Sequence, residues 1–442
     1  MLFSSLFAKT AEYEKLAHAL SAPGACALFG LPGSGRAMVY AALAKETGRF
    51  LCIVTPGEAE ATRFAGDLNA LGIPTAVFPA RDYVLRPIEG TAREYEYRRL
   101  SVLGDIVGGR LQAVCVPDEG LTQYTTPRAE FCNNTRTLHP GDTVPRTELT
   151  ALLYNAGYAR RAQVDGPGQF SIRGDIVDLY APDMKLPVRM EFWGDEIDTM
   201  HTFDLATQRR EDPIEKIYVS PAREVLFGSP AEAAELLRAF IKKFRGKKRT
   251  ALEACLATEL AQLDGGALPV NMDKYLAVRY PQPATLLDYF DDPLLVLEEP
   301  ASLREAERAT TYRRGEEISA LLQDGVLAAG LDNLYAENGY LWAQAANHRT
   351  ICAENFARSM PDQPLKDIIN APAHTLPAWN GEVAGLLEDL KPLCDAGYTV
   401  TLLAGTDRAA AGLARDLRDK GILVTTDAAA APAAGLVQVL AG

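Results

Sequence analysis

Between residues 25 and 55 the chain sets an apolar strand, a glycine-rich turn, a helix and a second apolar strand in succession, and that order restricts it to a parallel α/β frame. Residues 25–29 suit a buried strand, 37–46 carry helix formers closed by Gly48, and 50–55 read as the next strand. A helix over 58–71, ended by Gly72, and a strand over 75–78 complete a βαβαβ opening. The turn after the first strand reads G-L-P-G-S-G-R-A at residues 30–37. It follows the phosphate-loop pattern G-x-x-x-x-G-K-[ST] in its glycines and departs from it where the chemistry resides. Such a loop uses an ammonium to reach the terminal phosphates and a hydroxyl to hold Mg²⁺, whereas Arg36 is a planar fork and Ala37 has no oxygen. Gly30, Gly33, Gly35, Arg36 and Ala37 therefore read as a degenerate nucleotide loop, a glycine cradle unsuited to hydrolysis. The plainer alternative is a tight strand-to-helix turn.

At 442 residues the length prior is roughly three domains, and 48% hydrophobic content is ample for their cores. A net charge of −13, from 45 basic and 58 acidic residues, excludes a surface that is basic throughout but leaves room for a local basic patch. The seven cysteines (26, 52, 115, 132, 255, 352 and 394) form no C-x-x-C pair and read as reduced and mostly buried. The five histidines (18, 139, 201, 348 and 374) have no ligand spacing, so no metal site is expected, and no nucleophile–base constellation assembles. The start of the chain lacks the pattern of a signal peptide, and no run reaches the ~18 apolar residues of a membrane span. A cytoplasmic protein without a membrane partner is expected.

The periodicity changes along the chain. A helix over 92–106 and a strand over 112–116 continue the α/β pattern, which ends in an irregular polar stretch at 125–134. After a helix over 147–156, residues 170–180 and 188–203 alternate with period two and contain Gly-Asp and Pro-Asp turns, the mark of a small antiparallel insertion. Helical pattern returns from about 222, with a strand over 294–297. Residues 360–377 read as a linker, and a strand at 400–403, a helix at 408–420 and a strand at 437–440 begin another α/β unit. That unit has too few elements to finish a sheet, and the expectation is an excerpt of a longer protein.

Two surfaces stand out. On a strand at 188–193, Val188, Met190 and Phe192 point to one face and Arg189, Glu191 and Trp193 to the other, where Arg173 of the neighbouring run can join them. Arginine and tryptophan dominate interface hot spots, although an aromatic on a sheet also stacks on cross-strand neighbours and arginines also solvate a face. Lys242, Lys243, Arg245, Lys247, Lys248 and Arg249 surround Phe244 in a basic cluster, a weaker candidate for DNA contact that also fits a solvated helix end.

The stretch G-Q-F-S-I-R-G-D-I-V-D-L-Y at 168–180, followed by P-V-R-M-E-F-W-G-D-E-I-D-T-M at 187–200 and F-D-L-A-T-Q-R-R at 203–210, resembles the second domain shared by UvrB and the bacterial transcription-repair coupling factors, the Mfd family. Thr207-Gln208-Arg209 and the A-G-Y at 156–158 are closer to the coupling factors. Two departures from UvrB agree with this. Residues 78–83 leave little room for a damage-probing hairpin, and Val296-Leu297-Glu298-Glu299-Pro300 stands where UvrB has an Asp-led acidic motif. Glu298 and Glu299 thus form a degenerate acidic motif beside a degenerate loop. The resemblance implies a RecA-like, P-loop-derived α/β domain (1–125 and 222–359) with an inserted strand-rich α+β domain (126–221), and after the linker an incomplete second α/β domain (378–442). It implies that Arg173, Arg189 and Trp193 contact UvrA, that this chain needs no cofactor and is not itself an enzyme, and that it serves excision repair at stalled RNA polymerase. An ATP- and Mg-dependent motor on double-stranded DNA would lie in downstream parts of the parent protein. The alternative is a UvrB-like protein with its own ATP and DNA binding.

Overall fold

The computed structural model describes residues 10–87, 93–360, 363–371, 373, 383–428, 430–431 and 433–441. Expectations that touch residues 1–9, Ala92, 361–362, 372 and 374–382, His374 among them, lie outside the described residues. Strands β1 (Gly24–Phe29), β2 (Leu51–Thr55), β3 (Thr75–Val77) and β4 (Ala113–Pro117) alternate with helices Gly33–Thr47, Glu58–Ala70 and Glu94–Val107. The chain then leaves this frame for a strand-rich module. There β5 (Arg136–Leu138) precedes β6 (Ala159–Arg160), β7 (Gln169–Arg173), β8 (Ile176–Tyr180), β9 (Val188–Trp193), β10 (Glu196–Phe203), β11 (Arg210–Pro213) and β12 (Ile217–Val219). Strands β6 to β11 form one sheet in the order β11-β10-β9-β8-β7-β6, antiparallel except at β6, while β12 pairs with β5.

Strands β13 (Leu294–Glu298), β14 (Arg349–Glu354) and β15 (Leu365–Asn370) return to the first sheet. Its order is β15-β1-β14-β13-β2-β4-β3, with every pairing parallel. A separate parallel sheet, β16 (Val400–Ala404), β17 (Val424–Thr425) and β18 (Val437–Ala441), packs with helices Val383–Asp395 and Asp407–Asp419. The chain is a multidomain α/β protein, as its period changes predict.

A parallel sheet is covered on both faces, so its strands are apolar at consecutive positions and divide their side chains between two cores. Leu51, Ile53, Cys115, Val296 and Ile351 meet the helices Gly33–Thr47 and Glu58–Ala70, while Cys52, Val54, Val114, Leu297 and Cys352 meet Leu100, Leu103, Leu303 and Leu341. Burial pushes the thiols of Cys26, Cys52 and Cys352 up to about 12, which keeps them protonated and inert.

Three sequence expectations need correction. Part of the expected linker, residues 365–370, is β15, the edge strand beside β1; in L-K-D-I-I-N the apolar residues do not alternate and only Ile369 is buried, which hides the strand pattern. Residues 128–133 of the irregular stretch form a helix that buries Phe131 against Tyr289. The helix after the glycine turn begins at Gly33 rather than Ala37. Strand β14 and the helix Val383–Asp395 had no counterpart in the sequence reading. Residues 79–87 form no strand. Instead, Arg81 binds Asp273 through two hydrogen bonds of 2.7 and 2.9 Å, and fully buried Arg99 donates to Glu224 at 2.6 Å, tying this loop to the returning segment. Among the described residues no helix is long and apolar enough to cross a membrane.

Candidate partner-binding face and the filled phosphate loop

In open parallel sheets ligands bind beyond the carboxyl ends of the strands. Here β1 ends at Phe29, Gly30 turns with φ +92, and Pro32 caps a helix whose first turn holds Gly33 and Gly35. Arg36 N donates to Pro32 O at 2.9 Å, closing a regular helical turn across residues that a phosphate loop keeps open. The helix therefore begins inside the glycine motif, at Gly33, rather than after it. Arg36 turns inward instead, its Nη1 lying 3.0 Å from Glu298 Oε2, 2.8 Å from Glu299 Oε1 and 3.2 Å from Ala353 O.

The acidic partners come from the end of β13. Glu298 is 1% exposed and also accepts a 2.5 Å hydrogen bond from Tyr40 Oη, one helical turn beyond Arg36. Burial raises the Glu298 carboxyl to about 7, against the opposing pull of Arg36 and Tyr40. Burial also works against the Arg36 charge, but Glu298, Tyr40 and Glu299 outweigh it and hold the guanidinium above its ordinary pKa. Glu299 adopts a left-handed φ of 51 to start the helix Pro300–Gln323, and Glu354 at the end of β14 accepts from Ala301 N at 3.1 Å. The cation and carboxylates that nucleotide chemistry would direct at phosphate and metal are thus engaged with each other.

The outer face of the β7–β10 sheet is built differently. Arg173 and Trp193 each stand immediately before a Gly-Asp turn, Gly174-Asp175 and Gly194-Asp195, whose glycines take φ of 62 and 65. Two-residue hairpin turns favour such positive φ, and both turns lie at the same end of the sheet. Val188, Met190 and Phe192 go to the module's core with Phe170, Val177 and Ile197. Trp193 is left 84% exposed.

Asp178 organises the two arginines. Its carboxylate, 0% exposed, accepts from Arg173 Nη2 at 2.6 Å and from Arg189 Nε and Nη2 at 2.7 and 2.9 Å. Arg189 is further held by Gln208 O at 3.2 Å and lies over the Phe203 ring at 4.6 Å. The hydrogen bonds to Asp178 raise its pKa despite burial. Gln208 has φ of 58, a left-handed conformation uncommon outside glycine, and it presents that carbonyl to Arg189. The structure brings Arg173 and Arg189 together on Asp178 and sets Trp193 one row nearer the turns than Arg173 and two nearer than Arg189. The arginines differ, Arg189 being locked inside the face with 13% of its side chain exposed while Arg173 has 46% exposed.

Lys242, Lys243, Arg245, Lys247, Lys248 and Arg249 lie apart from both sites, at the joint between helices Pro230–Lys242 and Gly246–Cys255. Asp178 and Tyr40 are not singled out by the sequence, and Gln208 enters there only through the Thr207-Gln208-Arg209 resemblance, without its contact to Arg189. Asp178 carried a signal, being the acidic residue in an otherwise apolar run, in strand register with Arg189. Tyr40 carried another, four residues from Arg36 on one helix face.

The β5–β12 module matches a known family. Residues 137–225 fit the model of the UvrB interaction domain, so the outer face and its arginines lie within a UvrB-type interaction module carried by a parallel α/β frame. Over most of its length the chain is also similar to transcription-repair-coupling factors. It is 26% identical to that of Bacillus subtilis over 94% of this chain and 36% of the relative. The figures are 23% over 86% and 33% for Staphylococcus epidermidis, and 26% over 67% and 26% for Staphylococcus haemolyticus. The chain spans about a third of the length of the first two of these curated relatives.

Proposed function

We propose that this chain is the non-catalytic, UvrA-recruiting part of a transcription-repair coupling factor, acting in the cytoplasm in transcription-coupled nucleotide excision repair. The observation that carries the reading is that Arg173 and Trp193 stand before two Gly-Asp turns at the same end of the sheet, beyond an Asp178–Arg189 ion pair, within the segment that matches the UvrB interaction domain. The α/β frame is read as a RecA-like domain whose nucleotide chemistry has been replaced by the Arg36–Glu298 pair, so the chain itself uses no cofactor. In the parent protein, RNA polymerase would be engaged by other domains, with ATP and Mg serving a translocase motor on double-stranded DNA there.

Calorimetric titration of UvrA into the chain and its Arg173→Ala and Trp193→Ala variants tests the reading. Each variant is expected to lose about 2 kcal/mol or more of binding free energy; unchanged affinity in both overturns it. A UvrB-like protein with its own ATP and DNA binding is the competing reading, and saturable ATP binding at residues 30–37 would favour it.

A further inference from the structure

We propose that the joint between helices Pro230–Lys242 and Gly246–Cys255 docks the phosphate backbone of double-stranded DNA. Lys242, Lys243, Arg245, Lys247, Lys248 and Arg249 place six cations in eight residues of a chain whose net charge is −13, and all six are exposed. Their surroundings do little to neutralise them. Among the described residues only Arg249 of the six forms an ion pair, with Glu253 at 2.8 Å, while Lys243 Nζ lies 6.0 Å from the Phe240 ring. Lys247, Lys248 and Arg249 also crowd the start of the second helix, whose first turn contains no acidic residue. The helix dipole disfavours cations there, so this arrangement works against the fold's own stability and calls for an external anion.

The corner is firmly mounted. Gly246 makes the bend with φ of 57, Phe244 packs against Phe240 at 5.1 Å, and a Cβ on Gly330 would come within 2.8 Å of the Phe244 ring. Leu237, Ile241 and Leu252 fasten both helices to one core. The charges are therefore presented from a fixed angle between two helices.

The chemistry of the patch selects the partner. Within the two helices and their joint, residues 230–255, no large apolar side chain is exposed, so the patch itself offers a protein partner no apolar hot-spot anchor. Phe244 and Phe240 pack against each other at a steep angle and are both half-buried, which gives successive bases no row of open ring faces such as single-strand binders use. A surface of uniform positive sign fits a uniform polyanion contacted through its backbone. The patch shares no residue with the Arg173 and Trp193 face, so the two proposals succeed or fail separately.

Fluorescence anisotropy of a short labelled duplex titrated with the full chain tests this proposal. Affinity should fall steeply between about 50 and 200 mM salt, and the triple variant K247E/K248E/R249E should lose at least about tenfold in affinity and about 3 from the log–log salt slope. The neutral variant K247Q/K248Q/R249Q, checked for wild-type melting, should lose a similar slope without charge reversal. Absence of binding at about 50 mM salt, an unchanged slope in either folded variant, or polyglutamate binding as tight as the duplex would overturn it.

Discussion

Arg36 and Glu298 face each other at 3.0 Å, both nearly sealed from water, at the carboxyl end of β13. A buried pair of this kind says little about net stability, but removing one partner leaves the other charged group stranded. Arg36→Ala should therefore cost about 3–5 kcal/mol, measured by urea denaturation. The combined change Arg36→Lys and Ala37→Thr, which restores the phosphate-loop residues, should still give no ATP binding by calorimetry because Gly33 and Gly35 remain in the helix.

The same pair sets a pH dependence. Glu298 has a folded pKa of about 7 against an ordinary 4.5, so the folded state holds the proton more tightly than the unfolded one. Its contribution to stability is full below about 4.5 and is lost as pH rises through about 7. Asp118, raised to about 7 from 3.8 by burial and Glu307, acts in the same direction from a lower onset. Melting temperatures compared at about pH 5 and pH 8 should show a smaller alkaline loss in Glu298→Gln than in wild type. An identical difference in the two proteins would refute the assignment.

Asp178 should matter for both stability and recognition. Asp178→Ala removes the acceptor from Arg189, whose side chain is only 13% exposed, and is expected to cost about 2–4 kcal/mol while weakening UvrA binding. Asp178→Asn keeps one acceptor oxygen and should lose less of each. Denaturation and titration on the same preparations separate the two effects.

Trp193 and Phe192 are neighbours with opposite duties. Trp193→Ala should change stability by no more than about 0.5 kcal/mol while reducing UvrA affinity about thirtyfold. Phe192→Ala, by contrast, opens the module's core and should cost about 3–5 kcal/mol. Equal melting losses for the two variants would contradict the assigned faces.

The edge strand β15 can be tested by deletion. Ending the chain at Met360 leaves one side of β1 unpaired, so the amides of Ala25–Phe29 should exchange with solvent faster and the protein should melt lower. Wild-type protection of β1 would mean that β15 adds nothing to the sheet.

What could be read from the sequence was whatever depended on local period. Apolar strands at 25–29 and 51–55 and the alternation of 188–193 announce their own burial, because each residue's environment follows from its neighbours in the chain. The Gly-Asp dipeptides mark both hairpin turns in the same local way. What escaped depended on distant partners. Residues 365–370 look like a linker until β1 supplies their pairing, and Arg36 looks like a damaged lysine until Glu298 arrives from the other part of the sheet. The extent of the glycine turn was misjudged for a related reason: the pattern marks where a loop is permitted, while the contacts of Arg36 and the Pro32 cap decide where the helix begins.

Strand β1 has consequences for biosynthesis. Both of its neighbours, β14 and β15, come from the far end of the α/β frame, and Cys26 bonds to Thr350 across 324 residues. At about 5–20 residues per second, a nascent β1 waits on the order of half a minute before either neighbour is translated. The inserted module, whose strands pair almost entirely with their immediate successors, can fold during that interval. The partner-binding face would then be complete on the ribosome while the frame that carries it is still open, which makes the first apolar strand the segment most in need of a chaperone.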